Sequence, residues 1–197
     1  PVQFMEAMRK MENYEHLVFF PIGRMKEVGL PLSAKQFLEE IGFPSWLAPH
    51  LRFGEFEGEF LPHMGKWAWR TAMPPPELWK YVVLGSDTYG DPICLCSESE
   101  KVLIFNQKTS FAEIFMNSSF PLLANTLVEY AAMIRKAISI AGHNVCTDNK
   151  IPNALIWNFE IFLKSIDPAG LAEGAFWQQE IAWDKGHYPG RRSMRSE

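Results

Sequence analysis

Thiols, imidazoles and clustered carboxylates are the groups through which this chain could do chemistry, and their spacing tests each in turn. Cys94 and Cys96 stand two apart. On a strand that spacing points both thiols to one face, the beginning of a metal site. Structural zinc takes four ligands, however, and the third cysteine, Cys146, lies far along the chain. Disulfide geometry is also difficult between residues two apart, so reduced thiols are expected. The five histidines, His16, His50, His63, His143 and His187, are dispersed, and neither His50 nor His63 has a second ligand at helical spacing. No metal is expected.

Catalytic motifs are equally sparse. The chain holds no G-x-S-x-G turn, no H-E-x-x-H pair and no glycine loop ending in Gly-Lys-Ser or Gly-Lys-Thr. Gly85 and Gly90 have the spacing of a phosphate loop but no lysine after them, and a turn between strands explains them better. Asn117-Ser118-Ser119 matches a glycosylation sequon, which we read as structural or fortuitous because no secretion signal precedes it. Neither an enzymatic site nor a cofactor is expected.

What remains is surface. Glu55, Glu57 and Glu59 alternate with Gly and Phe, so an extended backbone would aim all three carboxylates one way. Such a stripe is either an ordinary solvated strand face or a patch that meets a basic partner. Trp67 and Trp69 alternate near Trp79 and the run Pro74-Pro75-Pro76. They read as core, or as an aromatic groove for a partner.

Elements to position these residues follow from periodicity. Phe4, Met8 and Met11 suit an amphipathic helix, and Leu17 to Phe20 a short buried strand stopped by Pro21. Ser33 and Gln36 form a capping box for a helix from Ser33 to Ile41, with Gly42 as a left-handed cap. Pro44, Pro49 and Pro62 break the stretch to Pro76 into short strands and loops. Trp79 to Leu84 is predicted as a strand ended by Gly85, and Ile93 to Cys96 and Val102 to Phe105 as a hairpin. Ala112 to Met116 gives another strand. Ser119 then caps a helix facing inward with Leu123, Leu127, Tyr130, Ile134 and Ile138 and ended by Gly142. Further helices are predicted over Ala154 to Ile166, closed by Asp167-Pro168, and around Phe176 to Trp183. Strands in the middle and helices at both ends make an α+β fold, a mainly antiparallel sheet with helices on one face.

With 197 residues, 47% of them hydrophobic, a single domain with a real core is expected. Arg191, Arg192 and Arg195 fall in a probable flexible basic tail over 190–197. A net charge of -4 disfavours direct nucleic-acid binding and favours a cationic partner. No apolar run reaches the length of a membrane span, so a soluble cytoplasmic protein is expected.

Three ordered stretches carry a resemblance. Phe37-Leu38-Glu39-Glu40-Ile41-Gly42-Phe43-Pro44, Tyr81-Val82-Val83-Leu84-Gly85, and the hairpin from Pro92 leading to Phe115-Met116-Asn117-Ser118-Ser119-Phe120 resemble the SUKH superfamily, and within it the fourth subfamily, chiefly bacterial immunity proteins. Asp167-Pro168-Ala169 and Phe176-Trp177 agree with it, whereas Arg52 to Pro76 follows no pattern that we recognise. The resemblance implies a small α+β protein without cofactor or catalytic residues that neutralises a polymorphic or contact-dependent toxin, often a nuclease. Gly42, Pro44, Gly85, Asn117, Ser119, Asp167, Pro168 and Trp177 would then be structural. The divergent stretch with Glu55, Glu57, Glu59, Trp67 and Trp69 would meet the partner. The alternative that the resemblance leaves open is an intracellular adaptor or scaffold.

Overall fold

Proline and glycine punctuate the first third of the chain, and its elements are accordingly short. The computed structural model describes residues 17–26, 28–40, 42–47, 49, 51–54, 60–68 and 76–186. In chain order these form β1 (Leu17–Val18), α1 (Leu32–Glu40), β2 (Phe43–Pro44), β3 (Trp46–Leu47), β4 (Leu51–Phe53) and α2 (Met64–Ala68). A 3-10 segment, Pro76–Lys80, leads into β5 (Tyr81–Ser86), β6 (Pro92–Cys96), β7 (Val102–Asn106) and β8 (Ala112–Asn117). Three helices follow: α3 (Phe120–Ala141), α4 (Asn153–Ile166) and α5 (Phe176–Asp184). The proposed helix over Phe4 to Met11, Ile41 and the tail over 190–197 lie outside the described residues.

Strands β3 to β8 make one six-stranded antiparallel sheet in sequence order, and β1 pairs with β2 separately. The fold is α+β, as expected. In β5, β6 and β7 nearly every residue is buried, because both faces of the sheet carry cover. Val82, Leu84, Ile93, Leu95, Val102, Ile104 and Met116 join the large core under the long helices. Tyr81, Val83, Cys94, Cys96, Leu103 and Phe105 form a smaller cluster on the other face with Met64 of α2 and Leu78 of the 3-10 segment. The three long helices thus share one face, and two short segments shield part of the second.

Several local readings need correction. Helix α1 starts at Leu32, with the Pro31 carbonyl accepting from the Lys35 N–H at 3.0 Å, so Ser33 lies inside the first turn rather than at the cap. Trp79 and Lys80 belong to the 3-10 segment, which begins at Pro76, instead of opening β5. Gly85 does not end its strand: β5 runs on to Ser86 through a register shift between Val83 and Gly85. A Cβ at Gly85 would come within 1.9 Å of the Arg52 carbonyl oxygen, so the close approach of β4 is what requires glycine. Ser119 occupies the N-cap position of α3 as expected, yet its side chain makes no cap bond, and Pro121 supplies the pre-set helical φ.

Other features agree. Gly42 adopts φ 70° after α1, and Phe43 beside it stacks on Phe53 at 4.9 Å between ring centroids. The face of α3 buries Leu123, Leu127, Tyr130 and Ile134, while α4 buries Ile156, Phe159 and Leu163, with Leu155 at the margin.

Candidate functional site

The two faces of the sheet carry different kinds of polar groups, and the helix face holds Asn117, Asp167 and Trp177. Asn117, at the end of β8, is fully buried. Its Nδ2 donates to Asp167 Oδ2 at 3.0 Å and to Thr126 Oγ1 at 3.2 Å, and its Oδ1 accepts from Trp177 Nε1 at 3.0 Å. Asp167, also buried, accepts in addition from the Ser118 amide at 2.8 Å and the Ser118 hydroxyl at 2.6 Å. Pro168 opens another 3-10 segment, Pro168–Leu171, so α4 stops with Asp167 directed at β8. Trp177 packs its ring against Tyr130, Phe159 and Phe176. A buried carboxylate with three donors and a buried amide using both ends form a satisfied network, and such a network fixes how strand, helix and helix dock. Asn117, Asp167 and Trp177 are therefore brought together as structure, with Ser118 and Thr126 as members that the sequence reading missed. Gly42 and Pro44 belong to a separate place, the β1–β2 pair.

On the opposite face the cover stops short of β8. A cleft of about 370 Å³ opens there over a floor of Tyr81, Cys96, Leu103 and Phe115. Four charged side chains rim it: Lys80 and Glu98, whose Nζ and Oε2 lie 3.8 Å apart, together with Lys101 and Glu113. Tyr81 spans the face edge-on to Phe105, and its hydroxyl donates to Glu113 Oε1 at 2.9 Å. Burial, with the bonded Glu113 carboxylate beside it, pushes the Tyr81 phenol above its ordinary range and keeps it a neutral donor. Trp79 adjoins the cleft through Lys80. Its indole rests on Gly65 of α2, where a Cβ would lie 2.6 Å from ring atoms, yet 47% of Trp79 is exposed. His63 Nδ1 and the Trp79 carbonyl oxygen lie 2.8 Å apart, which fixes the 3-10 segment further.

Of the residues expected to meet a partner, Glu55, Glu57, Glu59 and Trp69 lie outside the described residues. Trp67 is placed by its backbone in α2, in a helical turn rather than an alternating extended run. Two residues of this face, Lys101 and Glu113, were not singled out from the sequence, and Trp79 entered the aromatic-groove reading only as a neighbour of Trp67 and Trp69. The strand register that gathers Lys101 and Glu113 carries no local signal beyond the β7–β8 hairpin itself.

The three thiols and Gly90, weighed for chemistry, lie among the described residues. Cys94 and Cys96 are buried, free thiols on the cleft side, and burial holds the Cys94 thiol well above its usual range. Cys146 is free too, pushed up to about 11 by burial and then by the charge of Asp184. Gly90 closes a turn in which Asp87 Oδ1 accepts from the amides of Tyr89 and Asp91. Among the described residues, no group of three or more His, Cys, Asp or Glu is placed to hold a metal ion, and no helix is long and apolar enough to cross a membrane. Searches of curated proteins and of solved structures return no match. The family model described as SUKH-4 immunity protein matches residues 6–183.

Proposed function

Because the chain belongs to the SUKH-4 immunity protein family, we propose that it binds a cognate polymorphic or contact-dependent toxin and neutralises it by occlusion, without turnover. The observation that carries this reading is the reach of the family match, residues 6–183 of 197. Two physical features support it. The interior is rigidly satisfied around Asn117 and Asp167, as suits a protein that must present a preformed surface. The net charge of -4 favours rapid encounter with a basic partner, such as a nuclease whose substrate groove is lined with Lys and Arg.

Co-expression with the toxin encoded beside this gene tests the reading. The chain should rescue growth and co-purify with the toxin, and failure of both rejects the proposal. Glu55, Glu57 and Glu59 are the expected steering residues. Converting all three to Lys should slow association on the order of tenfold at low ionic strength and less at high salt. Stopped-flow association rates that stay the same across salt concentrations would remove the stripe from the contact.

A further inference from the structure

We infer that the cleft beside β8 docks an extended segment of the toxin that carries a basic side chain, an apolar side chain and an acidic side chain in that order. This inference rests on the toxin-binding reading and adds where and with what polarity the toxin is held.

Strand register is the starting point. Alternation along β7 puts Lys101, Leu103 and Phe105 on the cleft side. Leu103 pairs with Phe115 and Phe105 with Glu113. Glu113 and Lys101 therefore stand at opposite ends of the cleft, four residues apart along the sheet, a separation of about 13 Å. That distance prevents them from neutralising each other directly. Lys80 and Glu98 lie closer together and form a near-neutral pair at the side. The cleft is thus dipolar: anionic at Glu113, apolar over Leu103 and Phe115, and cationic at Lys101.

Charge complementarity selects the occupant. A uniformly basic surface would gain at Glu113 and lose at Lys101, whereas a segment with matched opposite charges gains at both ends. Glu113 is aimed in advance by the Tyr81 hydroxyl, which lowers the ordering cost of an ion pair made there. The extended form follows from the distance of about 13 Å between the two charges, which about five extended residues span. β8 is the last strand of the sheet, and the 3-10 segment Pro168–Leu171 and α5 pack against it, Gly170 lying beside the Met116 carbonyl. Ala112 and Glu113 at its start are exposed. Backbone hydrogen bonds can therefore reach β8 only at that open start, where they would anchor one end of the segment as it crosses the cleft. Trp79, held on Gly65 and half exposed beside Lys80, is suited to be the aromatic anchor.

The experiment titrates the toxin encoded beside this gene, as an inactive variant, into the full chain by calorimetry. Glu113→Gln keeps an acceptor for Tyr81, so the fold should persist, and binding should weaken at least tenfold. Lys101→Gln should weaken it at least fivefold, and Lys164→Glu on α4, on the helix side, should change it less than twofold. Thermal melts check that each variant is folded. Wild-type binding with both cleft variants unaffected, or tighter binding by Lys101→Gln, overturns the inference and leaves the immunity reading standing. No binding by the wild-type chain defeats that reading and the inference with it. A dimer of the chain in light scattering that Glu113→Gln dissociates overturns the inference in favour of a second copy as the occupant.

Discussion

The helix face and the cleft face of the one sheet spend their residues differently. Beneath α3, α4 and α5 the cover is deep, and the polar groups there, Asn117, Asp167 and Trp177, point inward and satisfy one another. On the other face, α2 and the first 3-10 segment shield a smaller cluster, and the charged groups Lys101 and Glu113 are left at the surface. A sheet of this kind can place stability on one side and leave the other available for contact. Substitutions should therefore separate: those on the helix face should unfold the protein, and those on the cleft face should alter binding.

The largest effect expected is that of Asp167→Ala. It removes a buried acceptor of three hydrogen bonds and leaves one hydrogen of the Asn117 amide and both Ser118 donors unanswered, at a cost of about 4 kcal/mol. Urea unfolding measures it, and a loss below about 1 kcal/mol would mean that the helix face is not held by this network. Gly85→Ala comes next, at about 3 kcal/mol, because its Cβ can be admitted only by parting β4 from β5. A circular dichroism melt close to that of the wild type would contradict the close approach.

A smaller effect sharpens the description of the cleft face. The Cys94 thiol and Tyr81 phenol both sit there with pKa values raised by burial above unfolded values of 9.0 and 10.0. Their contribution to stability is fully present below pH 9 and is lost as pH rises, because the unfolded chain ionises first. The decline should set in above pH 9 through the fully buried Cys94, and above pH 10 through Tyr81 as well. Unfolding midpoints at pH 7, 9 and 10.5 test this, and Cys94→Ala should flatten the decline. An equal decline in that variant would assign the effect elsewhere.

Much of the scaffold was legible because its signals are local. The hairpin from Pro92 to Asn106, the inward face of α3 and the break at Asp167-Pro168 follow from alternation, helical spacing and proline. The errors arose where tertiary contact overrode local preference. Trp79 looks like a strand residue, but Pro76 and the seat on Gly65 draw it into a 3-10 turn. Gly85 looks like a stop, though it marks where two backbones meet. Asn117, Asp167 and Trp177 could be picked out as motif residues, yet nothing in separations of 50 and 60 residues says that they bond to one another. The cleft was hidden for a similar reason: Lys101 and Glu113 acquire a relation only through the register of β7 and β8.

The separation between Asn117 and its partners also bears on how the protein is made. Strands β3 to β8 pair in sequence order, so the sheet can assemble from neighbouring hairpins while synthesis continues. Asp167 and Trp177 leave the ribosome 50 and 60 residues after Asn117. Until they do, α3 and α4 can cover the sheet, but α5 is missing and the Asn117 amide has only its Thr126 partner. A chain ending before Asp167 would lack the carboxylate that ties α4 to β8, and only chains translated past Trp177 can complete the network.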